Sequence, residues 1–165
     1  MTQKNRYQLL FESSMDAIMT LEPPSWYFTS ANPAAIKLFG VENEQEFIRL
    51  WPWEASPERQ ENGKLSSEEA QQYIEKAMKK GAAFFEWIHR KKNGKIFFAT
   101  VLLTRVDMED RSFLQATVRD ITEQKDTKQQ LENKISELEK INKFLLDRQA
   151  EIAELTNKIE ALPKK

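Results

Sequence analysis

The amino-acid sequence predicts an α+β domain, an antiparallel sheet with its helices on one face, followed by one long helix. Three observations lead to this fold class. Two short apolar runs near the front and three later ones have the features of strands, with helix signals between them. Asn93-Gly94 separates two of the later runs, which is typical of a hairpin. All four tryptophans, all three tyrosines and nine of ten phenylalanines precede residue 120, so the core-forming residues end there.

The front of the chain is expected to form a short helix and two strands. Residues 6–13 carry three apolar side chains among polar ones, which indicates a short helix. Ala17–Leu21 is an apolar run closed by Pro23 and Pro24, which indicates a strand that ends at a turn. A second strand is predicted over Trp26–Thr29.

Two short helices and a loop are predicted next. Asn32-Pro33 has the order of a helix cap followed by a first helical residue, and Gly40 has the position of a stop. Asn43, with Glu46 three residues later, gives a second helix start. Residues 51–64 contain prolines and no periodicity, so we expect a loop there.

A longer helix is predicted over residues 66–81. Ser66 and Glu69 have the spacing of a capping box at its start. An apolar stripe follows at helical spacing, and Gly81 has the position of the terminating residue.

Three consecutive strands complete the domain. Phe84–Arg90 and Ile96–Val106 flank the Asn-Gly dipeptide, and Phe113–Ile121 alternates apolar and polar side chains. Ile96–Val106 is apolar on both faces, so its sequence does not show which side chains point inward. Two strands at the front and three at the back predict an antiparallel sheet.

Four segments in this order resemble a PAS domain with its C-terminal PAC half. They are FESSMDAI at residues 11–18, NPAA through FG at residues 32–40, FEWIHRKKNG at residues 85–94 and DITEQK at residues 120–125. The resemblance implies the PAS fold, a five-stranded antiparallel sheet whose helices form a cavity for a small ligand. It also implies that a signal leaves through the last strand. Residues 56–68 are similar to PAS domains of bacterial sensor histidine kinases.

The pattern divides the chain into three parts. An N-terminal helix is expected at residues 1–13 and a PAS domain at residues 14–122, with the PAC half at residues 82–122. A coiled-coil helix is expected at residues 123–162.

The predicted coiled coil repeats an apolar residue every seven positions from Leu131 to Ile159. An isolated helix with such a stripe needs a partner, so we predict a parallel homodimer. The companion residues change phase near Ile141 and Asn142, so either of these two side chains is able to turn inward. The predicted dimer seam consists of Leu131, Ile135, Leu138, Ile141, Asn142, Leu145, Ile152, Leu155, Ile159 and Leu162.

The junction between the last strand and the long helix is a predicted signal joint. It consists of Asp120, Ile121, Thr122 and Glu123. Asp120 and Glu123 have capping-box spacing, which indicates a helix start. The resemblance makes the same residues the exit of the signal, and the two interpretations are compatible because a cap at a joint fixes the helix orientation.

The resemblance implies a pocket for a small apolar ligand between the sheet and residues 47–78, the usual cavity side in the family. No cofactor is expected. The chain has no cysteine, which excludes the flavin adduct that light-sensing PAS domains form. Non-covalent flavin and haem remain open, the latter through His89, although a strand position favours a structural role for this histidine. The predicted lining includes Phe47, Trp53, Tyr73, Ile74, Trp87 and Leu102.

Composition argues against several classes of function. The 25 basic and 26 acidic residues are nearly balanced, which gives no electrostatic reason to expect nucleic acid or an anionic membrane. Without cysteine there is neither a disulfide nor a thiolate metal site. The apolar runs are too short to span a bilayer, so we expect a cytoplasmic protein. Neither catalytic residues nor a metal site are expected.

We therefore expect a sensory module of two-component signalling, at most the input part of a sensor histidine kinase. It would pass a ligand- or conformation-dependent signal to a downstream protein or domain. A ligand-free interaction adaptor is one alternative, and a haem- or flavin-based redox or gas sensor is another.

Overall fold

The computed structural model describes residues 3–160, and the side chains of residues 6–158. Its contacts divide the chain into two units, with the division between Thr122 and Glu123. The elements, in chain order, are α1 (Gln3–Ser13), β1 (Ala17–Leu21), β2 (Phe28–Ala31), α2 (Pro33–Phe39), α3 (Glu44–Phe47), α4 (Ser66–Lys80), β3 (Ala82–Arg90), β4 (Ile96–Asp107), β5 (Ser112–Asp120) and α5 (Thr122–Glu160).

The five strands form one antiparallel sheet in the order β2-β1-β5-β4-β3. The first and last strands therefore lie side by side, with Met19 opposite Ala116. β3 and β4 pair from Ala82 opposite Thr104 to Arg90 opposite Ile96. The predicted Asn-Gly turn joins them, and Gly94 in this turn has a φ of 84°. The predicted α+β fold class is confirmed.

The side chain of Asn32 makes hydrogen bonds that connect three elements at the front of the domain. Its Oδ1 accepts hydrogen bonds from the backbone N–H of Ala35 at 2.9 Å and of Ile18 at 3.0 Å. Its Nδ2 donates to the backbone carbonyls of Phe11 and Asp16. The predicted cap of α2 is thus confirmed, and the same fully buried side chain also holds the end of α1 and the start of β1.

The second strand begins two residues later than the sequence predicted. Trp26 has a φ of 59°, and its N–H donates to the carbonyl of Glu22 at 2.9 Å. This turn removes Trp26 from the extended conformation, so pairing with β1 starts only where Phe28 lies opposite Leu21. The strand predicted over Trp26–Thr29 is corrected to Phe28–Ala31.

The predicted capping box of α4 is wrong. The helix begins at Ser66, and the cap position belongs to Leu65, which makes no side-chain cap. The hydroxyl of Ser66 donates to the carbonyl of Pro57 at 2.6 Å, and the carboxylate of Glu69 accepts from the side chain of Asn62. Tertiary partners therefore take both groups that the spacing assigned to each other.

The core lies between the sheet and the helices α2, α3 and α4. Phe39 is at its centre, with ring centroids 5.2 Å from Phe47 and 5.5 Å from Phe97. All three rings are buried. The final strand contributes Leu114, Ala116 and Val118 to this face, as its alternation predicted.

The described part of the second unit, residues 123–160, belongs to the helix α5. This helix has 39 residues, which corresponds to about 58 Å at 1.5 Å per residue. Every described side chain from residue 126 to residue 158 is exposed in the single chain.

Candidate functional site

An apolar cavity of ≈ 40 Å³ lies between the inner face of the sheet and α4. All five strands contribute to it, which makes it the central feature of the inner face. A volume of this size holds only a few non-hydrogen atoms. The lining consists of Met19, Leu21, Phe28, Pro52, Ala70, Ile74, Phe85, Trp87, His89, Val101, Leu103, Ala116 and Val118.

Of the six residues predicted to line a pocket, Ile74 and Trp87 line this cavity. Leu102 lies on the opposite face of the sheet with 40% of its surface exposed, so its assignment was wrong. Its neighbours Val101 and Leu103 are buried and point inward instead. β4 is apolar on both faces, and the sequence alone did not fix which face is covered.

The other three predicted lining residues pack elsewhere. Phe47 is completely buried in the aromatic core. The ring of Trp53 stacks on Trp51 with centroids 5.5 Å apart, and the ring of Tyr73 stacks on Phe85 at 3.7 Å. These residues are on the predicted side of the sheet, but none of them lines the cavity.

His89 is the one cavity-lining residue with a polar side-chain atom left without a partner. Its Nδ1 lies 3.1 Å from the backbone carbonyl of Ala55. Because a carbonyl only accepts, Nδ1 carries the hydrogen and Nε2 is an unprotonated acceptor. Nε2 is buried and has no hydrogen-bond partner among the described residues. Burial lowers the pKa of His89 to about 4, against the opposing effect of the Ala55 carbonyl, so the ring is neutral at pH 7.

The ring of His89 is also fixed by aromatic neighbours. Phe39 meets it edge-on with centroids 5.0 Å apart, and Phe97 stacks on it at 5.3 Å. The orientation of Nε2 is therefore set by packing as well as by the hydrogen bond.

A buried polar network joins the loop before α4 to β3, and sequence reasoning missed it. The indole Nε1 of Trp87 donates to the hydroxyl of Ser56 at 2.8 Å. The side chain of Gln60 accepts from the N–H of Ile88 at 2.8 Å and donates to its carbonyl at 3.2 Å. Such residues leave no periodic signal in a loop, because their partners are distant in sequence.

Neither haem nor a flavin fits the cavity as it stands. Pockets for drug-sized ligands have volumes of about 300–1,000 Å³, far above the ≈ 40 Å³ found here. His89 Nε2 has the unprotonated form that an iron ligand needs, but the cavity that His89 helps to line does not accommodate a macrocycle. Within residues 3–160, no group of three or more His, Asp or Glu side chains is arranged to hold a metal ion.

The residues of the predicted joint are held against β4. Ile121 is buried, and its N–H donates to the carbonyl of Phe98 at 2.8 Å. The hydroxyl of Thr122 accepts from the N–H of Phe98 at 3.0 Å. The carboxylate of Asp120 in turn accepts from the N–H of Thr122 at 2.9 Å. One residue of β4 thus holds both residues that follow the last strand.

The capping box predicted at the joint differs in detail. Asp120 does bond to the start of α5, but the helix begins at Thr122, which places Glu123 at the second helical position. A capping box needs its acidic residue at the third position, so Glu123 does not complete one.

The predicted dimer seam is exposed along the single helix. Seven of its apolar side chains are exposed: Leu131, Ile135, Leu138, Ile141, Leu145, Ile152 and Leu155. Asn142 is exposed as well. The side chain of Ile159 and the whole of Leu162 lie outside the described residues, and their places in the seam stay predictions.

Comparison with known proteins decides the family. A family model described as a PAS domain matches residues 15–123, which is more than half of the chain. The chain belongs to the PAS domain family. No curated protein matches it.

Solved structures agree with this PAS assignment. A PAS domain from a two-component sensor histidine kinase is 17% identical with a TM-score of 0.57, covering 72% of this chain and 99% of that one. A PAS domain of a protein from Colwellia psychrerythraea is 17% identical with a TM-score of 0.62, covering 74% and 99%. The PAS domain of the fruit-fly ELK potassium channel is 18% identical with a TM-score of 0.55, covering 74% and 99%. At these identities the likeness shows the fold alone.

PAS domains are in general sensory rather than catalytic, and they commonly mediate interactions. The chain is therefore a PAS sensory domain with a long C-terminal helix. Between residues 3 and 160, no helix combines the length and apolar character needed to cross a membrane.

Proposed function

We propose that this protein is a dimeric sensory module of two-component-type signalling that passes the state of its PAS domain to an output partner and catalyses nothing itself. The observation that carries the proposal is the passage from β5 to α5. The strand ends at Asp120 and the helix begins at Thr122, so one buried residue separates them. Because no flexible linker lies between the strand and the helix, a movement of the sheet changes the orientation of the start of α5.

Dimerisation is supported by the exposed seam of α5. Its apolar side chains would stay in water along most of a 39-residue helix, since the single chain offers them no cover. A second copy of the helix covers them by heptad packing. Parallel pairing is favoured because it sets Asn142 opposite Asn142, a pairing that specifies two strands in register.

The change of phase near Asn142 supplies two alternative seams. With Leu138 paired to Asn142 the helix follows one heptad frame, and with Leu138 paired to Ile141 it follows the other. The two frames differ by a rotation of part of a turn. A ligand shifts the balance between them only by its differential affinity for the two states of the PAS domain.

Spin labels at residues 137 and 139 of the full chain test this mechanism. Rotation between the frames moves one of these positions toward the partner helix and the other away. Asn142→Ile favours the frame with residue 142 inward, so we expect a shorter distance at 139 and a longer one at 137. Lys140→Ile introduces the same side chain at an outer position in both frames and is the matched control.

The coupling to the domain is tested in the same dimer. Thr122→Val removes the hydroxyl that accepts from Phe98 while keeping the shape of the side chain. We expect unchanged folding and dimerisation, but broader distance distributions at 137 and 139. Identical distributions in the original protein, Asn142→Ile and Thr122→Val would mean that the helix is only a static dimer clamp.

A ligand-free adaptor is the second candidate, and the small volume of the cavity favours it. Native mass spectrometry of the purified dimer separates the two, because a sensor that carries its ligand shows a mass above that of two chains. A visible absorption spectrum tests the haem or flavin alternative, since either group colours the protein.

A further inference from the structure

We infer that the cavity recognises small uncharged molecules with one hydrogen-bond donor on an otherwise apolar body, and that His89 Nε2 accepts from that donor. This inference rests on the proposed sensory function, to which it adds the chemical class of the ligand and the residue that recognises it.

The lining of the cavity contains few polar side-chain atoms. Only Trp87 and His89 bring nitrogen into it. The indole N–H of Trp87 is taken by Ser56, and Nδ1 of His89 is taken by Ala55. Nε2 of His89 is left, buried and without a partner among the described residues. A buried acceptor that has lost its water and gained no donor is unfavourable, and a donor inside the cavity removes that penalty.

The rest of the cavity lining is apolar. These side chains include Met19, Ile74, Val101 and Leu103. A charged ligand would lose its hydration without finding a counter-charge there. A single water would find one side-chain partner, whereas buried waters usually make about three hydrogen bonds. A short molecule with one hydroxyl or N–H group and an apolar remainder satisfies both the acceptor and the wall.

His89 also lies close to the part of β4 that holds the residues of the joint. Its ring stacks on Phe97, and the next residue, Phe98, holds Ile121 and Thr122 through its backbone. The recognising residue is therefore one side-chain contact away from the strand segment that fixes the start of α5.

The test uses the full-length dimer labelled with [15N]histidine, in which His89 gives the only imidazole signals because the chain has one histidine. Ethanol is the probe, and dimethyl ether is its matched control, since the two have the same atoms but only ethanol has a donor. We expect ethanol to move the Nε2 resonance upfield in a saturable way, as accepting a hydrogen bond does, and dimethyl ether to leave it in place. No saturable shift with ethanol, or equal shifts with both compounds, overturns the inference.

His89→Phe is the matched variant, because it keeps the aromatic ring beside Phe39 and Phe97 and removes the acceptor. The carbonyl of Ala55 retains its hydrogen bond from the N–H of Arg90 at 2.9 Å. We expect ethanol to bind about five- to tenfold more weakly, measured from the methyl resonances of Met19 and Val101. Unchanged ethanol affinity in a folded variant contradicts the role of Nε2. If the variant does not fold, the comparison of ethanol with dimethyl ether in the original protein decides.

The proposed function fails separately from this inference. Ethanol that binds with the expected Nε2 shift but leaves the distances at 137 and 139 unchanged supports the recognition chemistry and contradicts signalling by that occupant. Distances that respond to Asn142→Ile and Thr122→Val, with no ethanol binding, support the signalling module and overturn the ligand class.

Discussion

The two units of this chain cover their apolar residues in opposite ways. In the PAS unit, large side chains such as Phe39, Phe47 and Met19 are almost fully buried by other parts of the same unit. In the C-terminal helix, every described side chain from residue 126 to residue 158 is exposed. The first unit is thus stabilised by its own core, whereas the described apolar side chains of the second are uncovered in the single chain. Under the proposed function, this difference separates a sensing part, the PAS unit, from a pairing part, the helix α5.

The largest expected effect comes from removing the pairing part. A chain that ends after Lys125 should lose its self-association while the domain stays folded, because it keeps the core and loses the whole seam. Sedimentation equilibrium measures the association and circular dichroism the fold. Equal dimerisation of the shortened and full chains would place the contact in the PAS domain instead.

A core substitution should show the opposite behaviour. Phe39→Ala removes a ring that packs on Phe47, Phe97 and His89, and we expect it to lower the free energy of unfolding of the domain by about 3–5 kcal/mol. Denaturant unfolding measures the change, which should not depend on protein concentration. Leu145→Ala is the control in the seam, and its effect should grow as the protein is diluted. If the effect of Phe39→Ala depended on protein concentration, the stability of the PAS unit would depend on association and not on its own core alone.

His89 should give the PAS unit a stability that depends on pH between pH 5 and pH 7, and it is the only histidine of the chain. Its pKa falls from an ordinary value of 6.5 to about 4 on folding, because burial disfavours the charged ring. The unfolded chain therefore binds a proton between these values that the folded chain does not, and the stability present above pH 6.5 is lost as the pH falls. We expect a loss of about 2 kcal/mol between pH 7 and pH 5, measured by denaturant unfolding.

His89→Phe is the control for that titration. With the only histidine removed, no other side chain has its ordinary pKa between pH 5 and pH 7, so the slope should nearly vanish. A slope that persists in a folded His89→Phe protein would assign the titration to another group.

The smallest effect compares one substitution in the two units. Asn43 caps α3 by accepting from the N–H of Glu46 at 3.0 Å, so Asn43→Ala should destabilise the domain by about 1 kcal/mol. Asn133 is an exposed interior residue of α5 whose Oδ1 accepts from the exposed side chain of Gln129. Asn133→Ala should have no destabilising effect, because alanine has the higher helix propensity. Thermal unfolding of the two variants checks the difference. Equal losses would show that Asn43 is not acting as a cap.

Local signals in the sequence predicted most of the fold. The caps at Asn32 and Asn43 were readable because each depends on a short polar side chain and the helix start beside it. The alternation of the final strand was readable because one of its faces is polar. The predictions failed where a distant partner decides, as at Ser66, which bonds to Pro57 rather than to its own helix.

The candidate site was less predictable for the same reason. Leu102 was misplaced because β4 is apolar on both faces, and only pairing and packing select the inner one. The free acceptor of His89 depends on a hydrogen bond to Ala55, 34 residues away in the sequence. The spacing of residues along the sequence does not predict a contact over such a separation. The resemblance implied a cavity between the sheet and residues 47–78, but nothing in the sequence indicated the His89 atom that gives the observed cavity its chemical character.

A single spin label at residue 129 of the full-length protein tests the central claim most directly. In a parallel dimer the two labels lie at the same level, so a short interchain distance is expected, since packed helix axes are about 8–10 Å apart. An antiparallel dimer centred on the seam, between residues 131 and 162, would separate the labels by roughly 50 Å along the axis. We expect the short distance, because we propose a parallel dimer. A distance near the long value, or no interchain distance at micromolar concentration, would contradict it.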